Sequence, residues 1–164
     1  MNDIFAKDSE AGKALHSWWE SLQDDRGARA ELRRCKSPDE VAITASFQRL
    51  CQKLRPAFSN EHGWEGRLAA IAGLAAQVRT NTPGRSFAVQ MTEGNPPAVS
   101  ELRFRRLLQR ERADLYPALI RVLRMLGNEA DILDLANAVY YWGKGLKKRW
   151  AADYFPRVPA KKSA

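Results

Sequence analysis

The chain has 164 residues, 45% of them hydrophobic, which suffices for one sizeable core or two small helical lobes without a metal or a disulfide. Its formal net charge is +8, and arginine outnumbers lysine, so the first partner to consider is a polyanion, because a planar guanidinium meets phosphate through paired hydrogen bonds. Charge alone also fits a basic helical protein that binds nothing specific. Two cysteines without C-x-x-C spacing exclude a disulfide framework. No run approaches the roughly 18 apolar residues of a membrane span, and the start lacks a signal peptide's basic and apolar regions, so a cytoplasmic protein without a membrane partner is expected.

Ala11, Ala14, Leu15, Trp18, Trp19 and Leu22 recur at helical spacing and predict a helix over 10–23. After Asp24-Asp25 comes a helix bearing Arg26, Arg29 and Arg33, with Ala28, Leu32 and Cys35 to bury its other side. Positions i, i+3 and i+7 fall within roughly 60° of one another and span about 10 Å, so such a trio can line a ridge suited to a phosphate backbone. Ser37-Pro38-Asp39-Glu40 reads as the next helix start, with Ser37 as cap, Pro38 in the first position and Glu40 reaching back. Phe47, Leu50, Cys51 and Leu54 carry the apolar face that follows, until Pro56. Trp64, Leu68, Ile71, Ala75 and Val78 define another helix, and no strand is expected.

Residues 80–98 break this pattern. Thr80-Asn81-Thr82-Pro83-Gly84 and Gly94-Asn95-Pro96-Pro97 are loop chemistry around a short apolar piece from Phe87 to Met91, which leaves room for movement. Ser100 is the expected cap of a second arginine helix, whose Arg103, Arg106 and Arg110 repeat the earlier spacing beside Phe104, Leu107 and Leu108. Asp114 is taken as the next cap, with Pro117 in the first turn, Leu115, Leu119, Val122 and Leu126 inward, Arg121 and Arg124 outward, and Gly127 as the stop. Asn128 with Asp131 starts a helix that turns Ile132, Leu135, Ala136 and Val139 inward. Leu146, Trp150 and Tyr154 stripe the last one, with Lys144 and Lys148 away from them. The expected fold is therefore all-α, a helical bundle of two lobes joined by a loop: 1–79, the connection 80–98, 99–155, and a basic disordered tail over 156–164.

No catalytic constellation emerges. His16 reads as a surface residue and His62 as a packed one, neither with a serine or cysteine at a motif spacing. Asp131 and Asp134 suit helix capping, and Gly143-Lys144-Gly145 lacks the phosphate-loop pattern. Zinc would need both histidines and both cysteines to converge from scattered helices, so neither metal nor cofactor is expected. The tryptophans at 18, 64 and 150 lie on apolar stripes, which favours packing over stacking on bases.

Several segments in order carry a likeness: Leu15-His16-Ser17-Trp18-Trp19, Leu32 to Val41, Gly63-Trp64-Glu65, Leu102 to Leu108, Ala113-Asp114-Leu115, and Tyr140-Tyr141-Trp142-Gly143-Lys144. Together they resemble the CasB-type small subunit of Cascade, the subtype I-E CRISPR surveillance complex, over roughly residues 14 to 79 and 100 to 155. Shared order and spacing carry the resemblance, since each motif alone is common. Tyr141-Trp142 stands where the family often has two tryptophans, a departure that leaves the packing role intact.

The resemblance implies an all-helical, non-enzymatic subunit present in two copies beside other Cascade subunits, the CRISPR guide RNA and target DNA. There it would support the guide-target duplex and the displaced strand in antiviral defence, through backbone electrostatics rather than base reading. Arg33, Arg34, Arg67, Arg103, Arg121 and Lys144 fall where the family pattern places basic residues, whereas Arg29, Arg106 and Arg110 come from helical spacing alone. Two rivals remain at the level of sequence. One is a helical adaptor whose basic face meets an acidic protein, and the other is a free-standing DNA-binding regulator using the helix after Ser37 for recognition.

Overall fold

Apolar residues three and four positions apart make most of this chain helical, and short polar side chains fix where each helix begins. The computed structural model describes residues 3–160. Its helices are α1 (Glu10–Gln23), α2 (Arg26–Arg34), α3 (Pro38–Ala42), α4 (Ala45–Leu54), α5 (Trp64–Gln77), α6 (Phe87–Gln90), α7 (Glu101–Leu108), α8 (Arg112–Met125), α9 (Ile132–Tyr140) and α10 (Lys144–Tyr154). Ser9, Asp25, Ser37, Thr44, Ser86, Ser100 and Asp131 cap seven of them, each side chain accepting from an N–H two or three residues on. Each such cap is worth about 1 kcal/mol.

Helix α5 lies at the centre and packs against α2, α3, α4, α8 and α9. Its Leu68, Ala69, Ile71, Ala72, Leu74, Ala75 and Ala76 are all buried, as befits a helix that is apolar on every side. At Gly73 the packing is so close that a Cβ would stand 2.3 Å from the Tyr116 hydroxyl, so this position needs glycine. Buried residues from both ends of the chain, from Phe5 to Tyr154, form one contiguous cluster. All five tryptophans are in it, Trp18, Trp64 and Trp150 as their stripes predict. The indoles of Trp18 and Trp19 donate to the carbonyls of Ser46 and Val78, at 3.1 and 3.2 Å, so their polar edges are satisfied.

Four details differ from the sequence reading. The helix expected from Ser37 to Pro56 is broken after Ala42, because the Thr44 hydroxyl donates to the Val41 carbonyl (2.8 Å) and accepts from the Phe47 N–H (3.3 Å), ending one helix and capping the next. Asp114 is not a cap. Helix α8 already starts at Arg112, which is anchored by its own side chain, so Asp114 falls in the first turn and Pro117 inside the helix on its exposed side. Among the described residues there are two short strands, β1 (Thr80–Asn81) and β2 (Glu129–Ala130), paired in parallel. They arise where α5 and α8 end side by side and the left-handed residues Gly127 (φ 71°) and Asn128 (φ 59°) turn the second chain alongside the first. His62 is exposed rather than packed.

The segment 80–98, expected as a connecting loop, feeds the core. Phe87, Ala88 and Met91 are fully buried, Phe87 meets Trp150 at 5.6 Å between ring centroids, and its N–H donates to Asp134 at 2.8 Å. After α10, Phe155–Arg157 forms a 3-10 turn and Val158 packs against the core. The tail expected to be disordered over 156–164 is therefore ordered through Val158, because that side chain finds apolar cover, and its residues 161–164 lie outside the described residues. Among the described residues, no helix is long and apolar enough to cross a membrane.

Candidate nucleic-acid interface

Ser100 starts α7, and buried Phe104 and Leu107 pin it to the core, which leaves Arg103 and Arg106 exposed on its other side. Buried Leu119, Val122 and Leu123 do the same for α8 and present Arg121. Between the two helices runs a groove of about 300 Å³ lined by Arg103, Arg106, Arg110 and Arg121. Among the described residues the rest of its lining is apolar, Leu107, Ala118, Val122 and Met125, with no carboxylate. Among the described residues, none of the four arginines is in an ion pair, while the neighbouring Arg105 is held by Glu101 at 3.1 Å. Four like charges on one groove repel each other and hold a positive potential that a string of phosphates relieves.

Arg110 reaches the groove by a different route from the one its spacing suggests. Helix α7 stops at Leu108, so no continuous ridge of positions i, i+3 and i+7 exists here. Instead the Arg110 N–H closes a turn onto the Leu107 carbonyl at 3.0 Å. Its own carbonyl accepts from the Trp142 indole at 2.9 Å and from Lys147 Nζ at 3.3 Å. Lys147, whose ammonium also lies 5.3 Å from the Trp142 ring, is a basic residue that the sequence reading missed. Its position one turn after Lys144, at the exposed start of α10, is the signal that was available.

The arginines of α2 are placed otherwise. Arg33 is half-buried, with Nε donating to the Ala76 carbonyl at 2.8 Å, while its own carbonyl accepts from Gln77 at 3.2 Å. Burial, together with the charges of Arg29 and Arg79, lowers its pKa below the usual arginine value. Arg29 donates to the Gln23 side chain at 3.3 Å. Arg34 is exposed and lines a shallow hollow with Glu31 and Glu40, whose carboxylates oppose phosphate there. The structure thus collects Arg103, Arg106, Arg110 and Arg121 but does not bring the α2 residues to the same groove.

Arg67 stands apart from both groups. It donates to the Tyr140 carbonyl at 3.2 Å and lies over the Tyr140 ring at 5.2 Å. Beside it Arg112, which the sequence reading also missed, donates to the carbonyls of Val139, Tyr140 and Trp142 at 2.7, 3.1 and 3.2 Å. Cations at the C-terminus of α9 satisfy its last carbonyls and meet the negative end of its dipole. Burial and the adjacent Arg67 charge lower the pKa of Arg112. The Tyr140 phenol is pushed up to about 12, first by burial and then by Glu61, to which it donates at 3.2 Å.

Chemistry of other kinds finds little support. His16 pairs with Glu20 at 3.4 Å, and burial pushes the thiols of Cys35 and Cys51 up, away from nucleophilic thiolate. Among the described residues, no three His, Cys, Asp or Glu side chains converge to hold a metal ion.

The family model described as CRISPR-associated protein Cse2 matches residues 28–155. The CRISPR system Cascade subunit CasB of Escherichia coli (strain K12) is 25% identical over 151 residues, 86% of this chain and 90% of that protein. A chain in the crystal structure of E. coli Cascade bound to a PAM-containing dsDNA target has the same fold, with a TM-score of 0.65 at 23% identity over 88% of this chain and 94% of that one.

Proposed function

Because this chain belongs to the CRISPR-associated Cse2 family, we propose that it is a non-catalytic small subunit of a Cascade-type, RNA-guided surveillance complex of the cytoplasm, and that its arginine groove holds nucleic-acid backbone there. The relative from E. coli is named as a Cascade subunit, and the structure sharing its fold is of Cascade on double-stranded DNA. On this reading the partners are guide RNA, target DNA, the other subunits and a second copy of the chain. The observation that carries it is the groove itself: among the described residues, four arginines and no carboxylate in the lining, carried by α7, the turn that follows it and α8. Such a surface neutralises phosphates and reads no bases, so sequence is left to guide pairing, and the subunit favours strand exchange by steadying the guide-target duplex and the displaced strand.

The regulator reading fares worse. The helix after Ser37 has five residues, packs on α5 and carries Asp39 and Glu40, which repel a phosphate backbone. An adaptor for an acidic protein is separated from the proposal by salt-dependent binding to unrelated nucleic acids.

The direct test is the Arg103→Ala, Arg106→Ala, Arg110→Ala variant. Each lost single-strand phosphate contact removes about 0.7 from the salt slope, so three flatten it by about 2. In the assembled complex this variant should load guide RNA normally yet hold the open target loop less stably. A salt slope and loop stability at the wild-type values would remove the groove from the mechanism.

A further inference from the structure

Arg67 and Arg112 line a second cavity of about 560 Å³ between α3, α5 and α8. The groove does not account for it. Arg112 and Arg121 are nine residues apart on α8, about 180° around its axis, so the cavity and the arginine groove open on opposite faces of one helix. Much of the cavity lining is apolar, including Pro38, Ala70, Leu74, Leu115 and Val139.

The two guanidiniums at this cavity are only partly answered from within the fold. The end of α9 offers roughly half an elementary negative charge against two full positive ones. Among the described residues neither arginine is in an ion pair, although exposed Asp39 lines the same cavity. Among the described residues Arg112 uses three hydrogen bonds on carbonyls, whereas Arg67 makes one, to the Tyr140 carbonyl, which leaves most of the donors on its fork to meet a ligand. Gly63 and Gly66 border the cavity, and a Cβ at either would meet nothing within 4 Å, so the approach along α5 is open.

We propose that this cavity is a docking site for a partner polypeptide, taking an apolar segment that carries a carboxylate, with Arg67 meeting the carboxylate and the apolar walls taking its neighbouring side chains. A nucleic-acid strand suits the cavity less, because its walls are apolar and its opening faces away from the groove. The inference rests on the cavity alone and stands whether or not the groove binds nucleic acid.

The test uses the full chain and two probes, acetyl-Leu-Glu-Phe-amide and its glutamine twin, followed by amide and arginine side-chain NMR. The glutamate peptide should shift Gly63, Gly66 and Arg67 Nε saturably, and the glutamine peptide should bind at least tenfold more weakly. Gly66→Leu, whose Cβ would meet nothing within 4 Å and whose side chain would occupy the opening, should abolish the shifts while the melting temperature stays level or rises. Arg67→Gln should leave the two peptides indistinguishable. The groove variant should keep the full peptide response, which separates failure of this site from failure of the groove. Equal binding of both peptides to the native chain, shifts at other residues, or tighter occupation of the same residues by pyrophosphate or a short oligothymidine would overturn the proposal.

Discussion

Arginines at positions i, i+3 and i+7 occur in both halves of the chain, on α2 and around α7, and the two sets meet different fates. On α2, Arg33 is drawn inward by a carbonyl at the end of α5, and Arg29 is occupied by Gln23. Around α7, the side chains of Arg103 and Arg106 make no hydrogen bond to a carbonyl among the described residues, and α8 adds Arg121 across a groove. Helical spacing decides which residues share a face. What stands opposite that face decides whether a cation is spent on the fold or left for a ligand.

The largest effect that would sharpen this contrast is on binding. Replacing Arg103, Arg106, Arg110 and Arg121 together by alanine removes four contacts of about 0.7 decade each near 0.1 M salt, a loss of a few hundredfold in single-strand affinity. Melting should move little, since Arg103, Arg106 and Arg121 are exposed helix positions that accept alanine, and Arg110 is held through its backbone rather than its side chain. Fluorescence anisotropy across a salt series checks the first part and circular dichroism the second. If an α2 variant lacking Arg26, Arg29 and Arg33 loses as much affinity with its fold intact, the two faces share the load and the contrast collapses.

Next in size is Arg33→Ala. It strands the Ala76 carbonyl and should lower unfolding free energy by about 1–3 kcal/mol in denaturant titration, whereas Arg106→Ala should stay within about 0.5 kcal/mol. Equal losses from the two would show that Arg33 is no more structural than its counterpart on α7.

Trp142→Phe tests how Arg110 is held, since it keeps most of the ring but removes the indole donor to the Arg110 carbonyl. A cost of about 1 kcal/mol in stability is expected. The salt slope should fall by less than one full contact of about 0.7, because the Lys147 bond to the same carbonyl remains. A slope as low as that of Arg110→Ala would mean the indole alone sets this residue.

The smallest effect belongs to Arg34→Ala. Exposed beside Glu31 and Glu40, Arg34 should change stability by less than about 0.5 kcal/mol and the salt slope by less than about 0.7. A fall of about 0.7 or more would place a phosphate contact on α2 after all.

By itself the sequence determined the helical class, most helix starts and most of the buried set. Those follow from interactions within a few residues: Ser9, Asp25, Ser37 and Ser100 cap their own first turns, and stripes such as Leu146, Trp150 and Tyr154 follow the period of one helix. It also singled out Arg103, Arg106 and Arg121 and, through ordered motifs, the family. Tertiary structure alone decided which cations stay free. Arg33 and Ala76 are 43 positions apart, Arg112 and Val139 are 27 apart, and Arg110 owes its place to Trp142 in the turn before α10 and Lys147 on α10. The start of α8 at Arg112 and the pairing of Thr80 with Glu129 were hidden for the same reason. A hydrogen bond between distant positions leaves no periodic trace in either segment, so it becomes visible only when packing brings donor and acceptor together.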